Sequence, residues 1–145
     1  MQYDSIHGLD KKISKLIIGN DNQSDFDAAS KLWDHWIEVG GNAFDNAHVY
    51  GGGSMETLLG NWHRKRDNLN ELVIIAKGAH TPNCNPKSLS QQLTESLDRL
   101  QMESVDIYIM HRDNLDIPVD EFVDVLNEEK QKGRINLFGG SNWTL

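Results

Sequence analysis

The chain has 145 residues, of which 22 are Asp or Glu and 14 are Lys or Arg, so its formal net charge is −8. This length is typical of one domain, and no stretch approaches the ~20 consecutive apolar residues that a bilayer-spanning helix requires. The acidic balance disfavours nucleic-acid binding, which needs a concentrated positive surface, and a hydrophobic content of 38% with four Trp and four Phe excludes a disordered chain.

The cysteine content and the N-terminal segment indicate the cellular compartment in which the protein is expected. Cys84 is the single cysteine and has no internal disulfide partner. Residues 1–4 show no charged segment followed by an apolar one, as a secretory signal does. We therefore expect a protein of the cytoplasm, with no membrane partner and no nucleic-acid partner.

Short apolar runs alternate with helical patterns along the whole chain. In chain order the patterns predict a strand at residues 13–18, a helix at 25–39, a strand at 42–45, a helix at 56–66, a strand at 72–77, a helix at 88–100, a strand at 105–110, a helix at 119–132 and a strand at 135–138. Ser24 or Asp25 is expected to cap the first helix, which Gly40 and Gly41 close. The nearly unbroken apolar run at 72–77 is typical of a parallel strand buried on both faces, so the predicted class is α/β.

The spacing of the strand centres is compatible with two architectures. It averages about 30 residues, which is the length of one βα unit in a (β/α)8 barrel of roughly 250 residues. A five-stranded open doubly wound sheet would instead be complete at the present length. Length alone favours the open sheet, and both architectures place the active site at the C-terminal ends of the strands.

Every predicted strand after the first ends on polar side chains, and these are Asp45 and Tyr50, Lys77, His111, and Ser141 with Asn142. A lysine at the end of an apolar strand is costly unless a carboxylate or a phenolate compensates its charge. The alternative for Lys77 is an ordinary strand end whose ammonium reaches solvent.

Four of these residues, Asp45, Tyr50, Lys77 and His111, could together transfer a proton to a substrate. A buried Lys77 beside Tyr50 would stabilise the tyrosine phenolate, and Asp45 would hold Lys77, which makes Tyr50 a usable general acid. A neutral His111 that donates from one ring nitrogen could orient a carbonyl oxygen beside the tyrosine hydroxyl.

Two motifs, GNAFDNAHVYG at residues 41–51 and METLLG at residues 55–60, resemble the signature of the aldo-keto reductases. Lys77, His111 and residues 140–142 fall where that family has the same residue types. The resemblance implies a (β/α)8 TIM-barrel type of fold, present here only as an incomplete barrel of about five parallel strands and four helices. It also implies that residues 1–145 are a single domain, the N-terminal part of such a barrel.

The same resemblance implies an activity. Members reduce aldehyde or ketone carbonyls with a nicotinamide cofactor, usually NADPH, with NADH as the other candidate. Carried over to this chain, Tyr50 is the proton donor, Lys77 and Asp45 tune it, and His111 orients the small-molecule carbonyl substrate. Ser141 and Asn142 would hydrogen-bond the nicotinamide carboxamide, and no metal is needed.

The chain departs from the family pattern in three places. Asn46 stands where the family usually has Ser or Thr, and Met55 stands where Ser is frequent. The segments that hold the cofactor's phosphates and adenosine follow strands seven and eight in the family, whereas the predicted strands here number five. We therefore expect the chain alone to be inactive and its unpaired barrel edges to favour self-association.

Other interpretations stay open beside the reductase. One is a truncated or accessory non-enzymatic module of the same family, and another is a self-contained flavodoxin-like or receiver-like domain. The glycines at 51–53 lack the Gly-Lys-Ser/Thr of a phosphate-binding loop and are interpreted as a turn. His48 and His80 are expected near the pocket mouth, but their spacing from His111 matches no helix-borne pair of metal ligands.

Overall fold

The computed structural model describes residues 1–23, 25–67 and 69–143. Two short antiparallel strands come first, β1 (Tyr3–Asp4) and β2 (Ile13–Ser14). The main sheet has five parallel strands in chain order, and these are β3 (Ile18–Gly19), β4 (Ala43–Asp45), β5 (Val73–Gly78), β6 (Val105–Met110) and β7 (Ile135–Gly140). Its connections carry the helices α1 (Phe26–Glu38), α2 (Ser54–Arg66), α3 (Pro86–Leu100) and α4 (Val119–Gln131). The predicted α/β class with five parallel strands and four helices is confirmed.

The prediction of one strand over residues 13–18 is wrong. The structure divides this segment into β2, which pairs with β1, and β3, which pairs with β4. The Ser14 hydroxyl donates to the Leu16 carbonyl at 2.7 Å and bends the chain between the two strands. Local side-chain bonds of this kind compete with a continuous strand, and Leu16 and Ile17 are consequently exposed despite being apolar.

The helix starts follow capping chemistry. The Asp25 carboxylate accepts a hydrogen bond from the Ala28 amide at 2.8 Å and so caps α1, while Ser24, the other candidate cap, lies outside the described residues. Asn85 caps α3 in the same way through the Ser88 amide at 2.9 Å, and Pro86 occupies the first helical position. A side chain that satisfies a free amide of the first turn stabilises a helix by about 1 kcal/mol.

The main core lies between the sheet and its helices. All six residues of β5 are buried, as expected for a central parallel strand. Trp33 of α1, Phe44 of β4 and Trp62 of α2 pack together, with ring centroids 5.5 to 6.5 Å apart. A smaller cluster on the other side of the sheet joins Leu9 and Ile13 to the strands.

Within the described ranges, no helix is long and apolar enough to cross a membrane.

Candidate active site

The C-terminal ends of the parallel strands meet at one edge of the sheet. Gly78 of β5 lies opposite Met110 of β6, and Met110 lies opposite Gly140 of β7. The residues next to these positions, Lys77, His111 and Ser141, therefore come to neighbouring places on the same edge. This is the edge where barrels and open α/β sheets carry their active sites.

Lys77 is buried at this edge and does not reach solvent in the manner of an ordinary strand end. It is 5% exposed, and its ammonium donates a hydrogen bond to the Asp45 carboxylate at the end of β4. The Lys77 Nζ atom also lies 5.0 Å from the centroid of the Tyr50 ring. The carboxylate compensates the cost of burying the ammonium.

Tyr50 begins a short 3-10 turn in the segment that follows β4. Its amide donates to the Ala47 carbonyl at 3.0 Å, and its half-buried ring faces the His111 ring edge-on, with centroids 5.8 Å apart and an interplanar angle of 85°. The structure therefore brings Asp45, Tyr50, Lys77 and His111 together at this edge of the sheet.

His111 sits directly after β6 and is buried. Its amide donates to the Gly78 carbonyl at 2.7 Å, which fixes its backbone to β5. Burial first, and then the nearby Lys77 and His80, lowers the pKa of His111 to about 4. The ring is therefore neutral near pH 7, and its buried Nδ1 has no hydrogen-bond partner in the part of the chain that the structure describes.

His80 was expected near the pocket mouth, and the structure adds a direct contact with His111 that the sequence did not predict. Its ring packs edge-on against the His111 ring with centroids 4.7 Å apart, and its Nδ1 lies 2.8 Å from the Thr81 carbonyl. Its position three residues after Lys77 is the one sequence signal that could have indicated this contact. His48, by contrast, turns to α3 and places its Nε2 atom 2.6 Å from the Glu95 carboxylate.

Ser141 and Asn142 lie beside His111. The Ser141 amide donates to the Met110 carbonyl at 2.9 Å, and the Asn142 amide group donates to the Ser141 hydroxyl at 2.8 Å and to the His111 carbonyl at 3.4 Å. Asn142 has a φ of +61°, a conformation that Asn tolerates better than most residues. A hydroxyl and an amide exposed at this edge are suited to hydrogen-bonding a carboxamide.

The side chains at this edge are of kinds that transfer protons in other proteins. A phenol, a buried ammonium with its carboxylate and a neutral imidazole lie around one point at the sheet edge. No group of three His, Cys, Asp or Glu side chains in residues 1–23, 25–67 and 69–143 is arranged to hold a metal ion. The arrangement can protonate an oxygen atom that becomes negatively charged during a reaction.

Solved structures define the type of fold. The chain aligns with the aldo-keto reductase AKR11C1 from Bacillus halodurans (holo form) at a TM-score of 0.85 and 26% identity, covering 97% of this chain and 50% of that one. It aligns equally well with the thermostable aldo-keto reductase Tm1743, at a TM-score of 0.86 and 27% identity. The five-stranded sheet is therefore part of a TIM-barrel fold, and the expected architecture is confirmed.

Sequence comparison then gives the family. The model of the aldo/keto reductase family matches residues 15–145, and the chain belongs to this family. It is 25% identical to an uncharacterized oxidoreductase, YrpG, of Bacillus subtilis, covering 99% of this chain and 50% of the relative. It is 31% identical to a probable voltage-gated potassium channel subunit beta of Oryza sativa subsp. japonica, of which it covers 47%. The chain thus spans about half the length of the curated relatives it matches.

Proposed function

We propose that the protein is an NAD(P)H-dependent oxidoreductase that reduces aldehyde or ketone carbonyls to alcohols. The observation that carries the proposal is the convergence of Tyr50, Lys77, Asp45 and His111 at one edge of the sheet. These residues end or follow three different strands, β4, β5 and β6, and the fold alone would not require such a combination. Family membership supports the same reaction class.

Tyr50 is the proposed proton donor. As the carbonyl carbon is reduced, negative charge develops on the carbonyl oxygen, and the Tyr50 hydroxyl transfers its proton to that oxygen to give the alcohol. The Lys77 ammonium, 5.0 Å from the ring centroid, stabilises the phenolate that remains. Asp45 holds the ammonium in place, and solvent returns the proton to Tyr50.

His111 is proposed to orient the substrate. Because the pKa of His111 is lowered to about 4, mainly by burial, its ring is neutral and can offer one N–H to the carbonyl oxygen. The edge-on contact of the His111 and Tyr50 rings, with centroids 5.8 Å apart, supports this role. Two donors around one oxygen atom stabilise the charge that develops there.

Ser141 and Asn142 are proposed to hold the cofactor. Their hydroxyl and amide fit a nicotinamide carboxamide, and the bond from the Asn142 amide to the His111 carbonyl supports a position close to the candidate site. NADPH is the expected cofactor and NADH the other candidate; when bound, it supplies the hydride for the carbonyl carbon.

Turnover and its dependence on Tyr50 test this proposal. NADPH and a reactive aldehyde are added to the purified chain and to the full-length protein, meaning the chain continued through its downstream reading frame. We expect turnover only in the full-length protein, and a Tyr50→Phe substitution should lower kcat by about 10²- to 10⁴-fold, the usual contribution of a general acid.

Tyr3→Phe is the matched control. Tyr3 lies in β1, and its hydroxyl donates to the Gly40 carbonyl at 2.5 Å, away from the site. The control should keep wild-type turnover. A Tyr50→Phe protein that retains the wild-type kcat would refute the assigned role of Tyr50.

A second candidate is an accessory module that binds a partner protein without catalysis. It is favoured by the 31% identity to relatives named as probable voltage-gated potassium channel subunits beta. Absence of turnover by the full-length protein with every aldehyde and ketone offered would support this candidate over the reductase.

Two further expectations stay predictions. These are a cytoplasmic location and self-association through the edge strands β3 and β7.

A further inference from the structure

A buried charged pair lies behind the segment that carries Tyr50. Glu56 of α2 is fully buried, with 0% of its side chain exposed, and its carboxylate accepts a hydrogen bond from Arg99 of α3 at 3.2 Å. The same Arg99 nitrogen donates to the main-chain carbonyl of His48 at 3.2 Å. Arg99 therefore joins two helices to residues 46–53, which we call the Tyr50 loop.

Arg99 also contacts the other end of the Tyr50 loop. The three glycines after Tyr50 have φ values of +56°, +63° and +96°, which glycine adopts far more readily than other residues. A Cβ atom added to Gly53 would lie only 2.4 Å from the central guanidinium carbon of Arg99. The guanidinium thus packs against bare backbone, and it contacts the loop both before and after Tyr50.

Further bonds connect this pair to the strand that carries Lys77. The His48 amide donates to the Lys77 carbonyl at 2.9 Å, so the residue whose carbonyl Arg99 binds is also attached to β5. The His48 ring pairs with Glu95, which in turn lies 3.5 Å from Arg99. The Tyr50 loop is consequently held from β5 on one side and from α3 on the other.

The charge of Glu56 has a high desolvation cost. Burial raises the pKa of Glu56 above its usual range, while Ser96 and Arg99 act in the opposite direction. A buried ion pair is seldom more stabilising than apolar residues of the same volume, so stability alone does not account for it. A fixed donor is, however, needed where a glycine-rich segment must keep one conformation, since glycine loses the most conformational freedom on folding.

We propose that Arg99 and Glu56 are positioning residues that fix the Tyr50 loop, so that the Tyr50 ring stays against His111 and the Lys77 ammonium. They act through the His48 carbonyl and the backbone of Gly53, and neither touches the reacting atoms. The inference rests on the proposed function for its kinetic part, while its structural part can be measured without turnover.

The chain provides a matched control pair. Arg134, before β7, lies 3.2 Å from Glu129 of α4, and the two side chains are 26% and 2% exposed. The corresponding exposures of Arg99 and Glu56 are 27% and 0%. Arg134 also donates to Thr94, and none of its hydrogen bonds or ion pairs within the described residues reaches the Tyr50 loop. Arg134→Ala therefore removes a similarly exposed arginine elsewhere, with Glu129 keeping Ser90 and Lys132 as partners.

The first measurement is hydrogen exchange of the amides of residues 46–53 in the purified protein. Arg99→Ala should speed their exchange by about tenfold or more relative to both wild type and Arg134→Ala, since local opening becomes easier. Glu56→Gln keeps an oxygen acceptor for Arg99 and should show a smaller increase. If Arg99→Ala fails to fold, the exchange rates of residues 46–53 in Glu56→Gln are compared with those of wild type. Equal rates in the two proteins would overturn the proposal.

The second measurement is kinetic and uses the full-length protein. Arg99→Ala should lower kcat by about 10- to 100-fold, because small displacements of a catalytic group are costly, while KM for NADPH stays within about twofold of wild type. Arg134→Ala should keep kcat. An equal loss in both variants would mean that the pair is only structural and would overturn the proposal. Faster loop exchange in a full-length protein without turnover would support the positioning role and reject the reductase.

Discussion

His111 shows how burial sets the chemistry of a single side chain. The ring is buried, meets the Tyr50 and His80 rings edge-on and lies near the positive charge of Lys77, so a proton on it would be both poorly solvated and repelled. The pKa of His111 is therefore lowered from 6.5 to about 4. A neutral imidazole can orient a carbonyl oxygen without competing with Tyr50 as the acid.

This lowered pKa predicts a pH dependence of stability. Between about pH 4 and 6.5 the unfolded chain protonates His111 and the folded chain does not, so the free energy of unfolding falls as the pH falls through this window. His111→Gln should flatten this decline by at most about 1.4 kcal/mol per pH unit. Urea unfolding at several pH values measures it, and parallel curves for the two proteins would contradict the assignment.

The contact between α2 and α3 depends on one glycine. Gly60 is buried, and a Cβ atom there would lie 2.4 Å from the Arg99 carbonyl oxygen and 2.9 Å from that of Leu100. One turn later the His63 Nε2 atom lies 2.6 Å from the same Leu100 carbonyl. This close approach places Arg99 next to the Tyr50 loop.

Gly60→Ala should therefore destabilise the protein, although alanine is the better helix former by about 1 kcal/mol. Because the obstructing atoms belong to the backbone of α3, we expect a net loss of about 1–3 kcal/mol in the free energy of unfolding. Arg64→Ala, at an exposed position of the same helix, should change it by less than about 0.5 kcal/mol. A Gly60→Ala protein as stable as wild type would contradict the packing described.

Most helices and strands could be predicted from the sequence because the residues that determine them lie close together in the chain. The apolar run of β5 and the Asp25 cap of α1 lie within a few residues of what they determine. The error at residues 13–18 arose because Ser14 bends a chain whose apolar pattern looks continuous. The Glu56–Arg99 pair joins positions 43 residues apart and has no local signal.

Across the molecule, the N-terminal segment is attached to the centre of the sheet. Lys11 donates to the Leu72 carbonyl at 2.6 Å and lies 3.1 Å from the Asp106 carboxylate. Asp106 is nearly fully buried in β6, and it also accepts the Ile74 amide at 2.9 Å. These contacts lie at the end of the strands opposite the candidate active site, so they affect stability and not the chemistry.

Asp106→Ala should lower the free energy of unfolding by about 2–4 kcal/mol, because it leaves the Ile74 amide without its acceptor and the partly buried Lys11 ammonium without its counter-charge. Asp4→Ala removes the exposed pair with Lys15, whose charged atoms are 3.6 Å apart, and should cost less than about 1 kcal/mol. Thermal or urea unfolding compares the two variants. Equal losses would show that the buried contact does not hold the N-terminal segment to the sheet.

The meeting of these side chains at one edge of the sheet could be predicted from the sequence, because polar side chains end consecutive parallel strands. The resemblance supplied their proposed roles. The contact of His80 with His111 and the attachment of the Tyr50 loop needed the folded chain, since each depends on where side chains from separate segments point.

In the proposed reaction Tyr50 protonates the carbonyl oxygen while the carbonyl carbon receives a hydride. This reaction is tested most directly by incubating the full-length protein with an aldehyde and NADPH that carries two deuterium atoms at C4 of the nicotinamide. One deuterium should appear on the alcohol carbon at wild-type rate in the Tyr3→Phe protein and about 10²- to 10⁴-fold more slowly in the Tyr50→Phe protein. Alcohol without deuterium would contradict hydride transfer from NADPH, and equal rates of labelling in the two variants would contradict the proposed role of Tyr50.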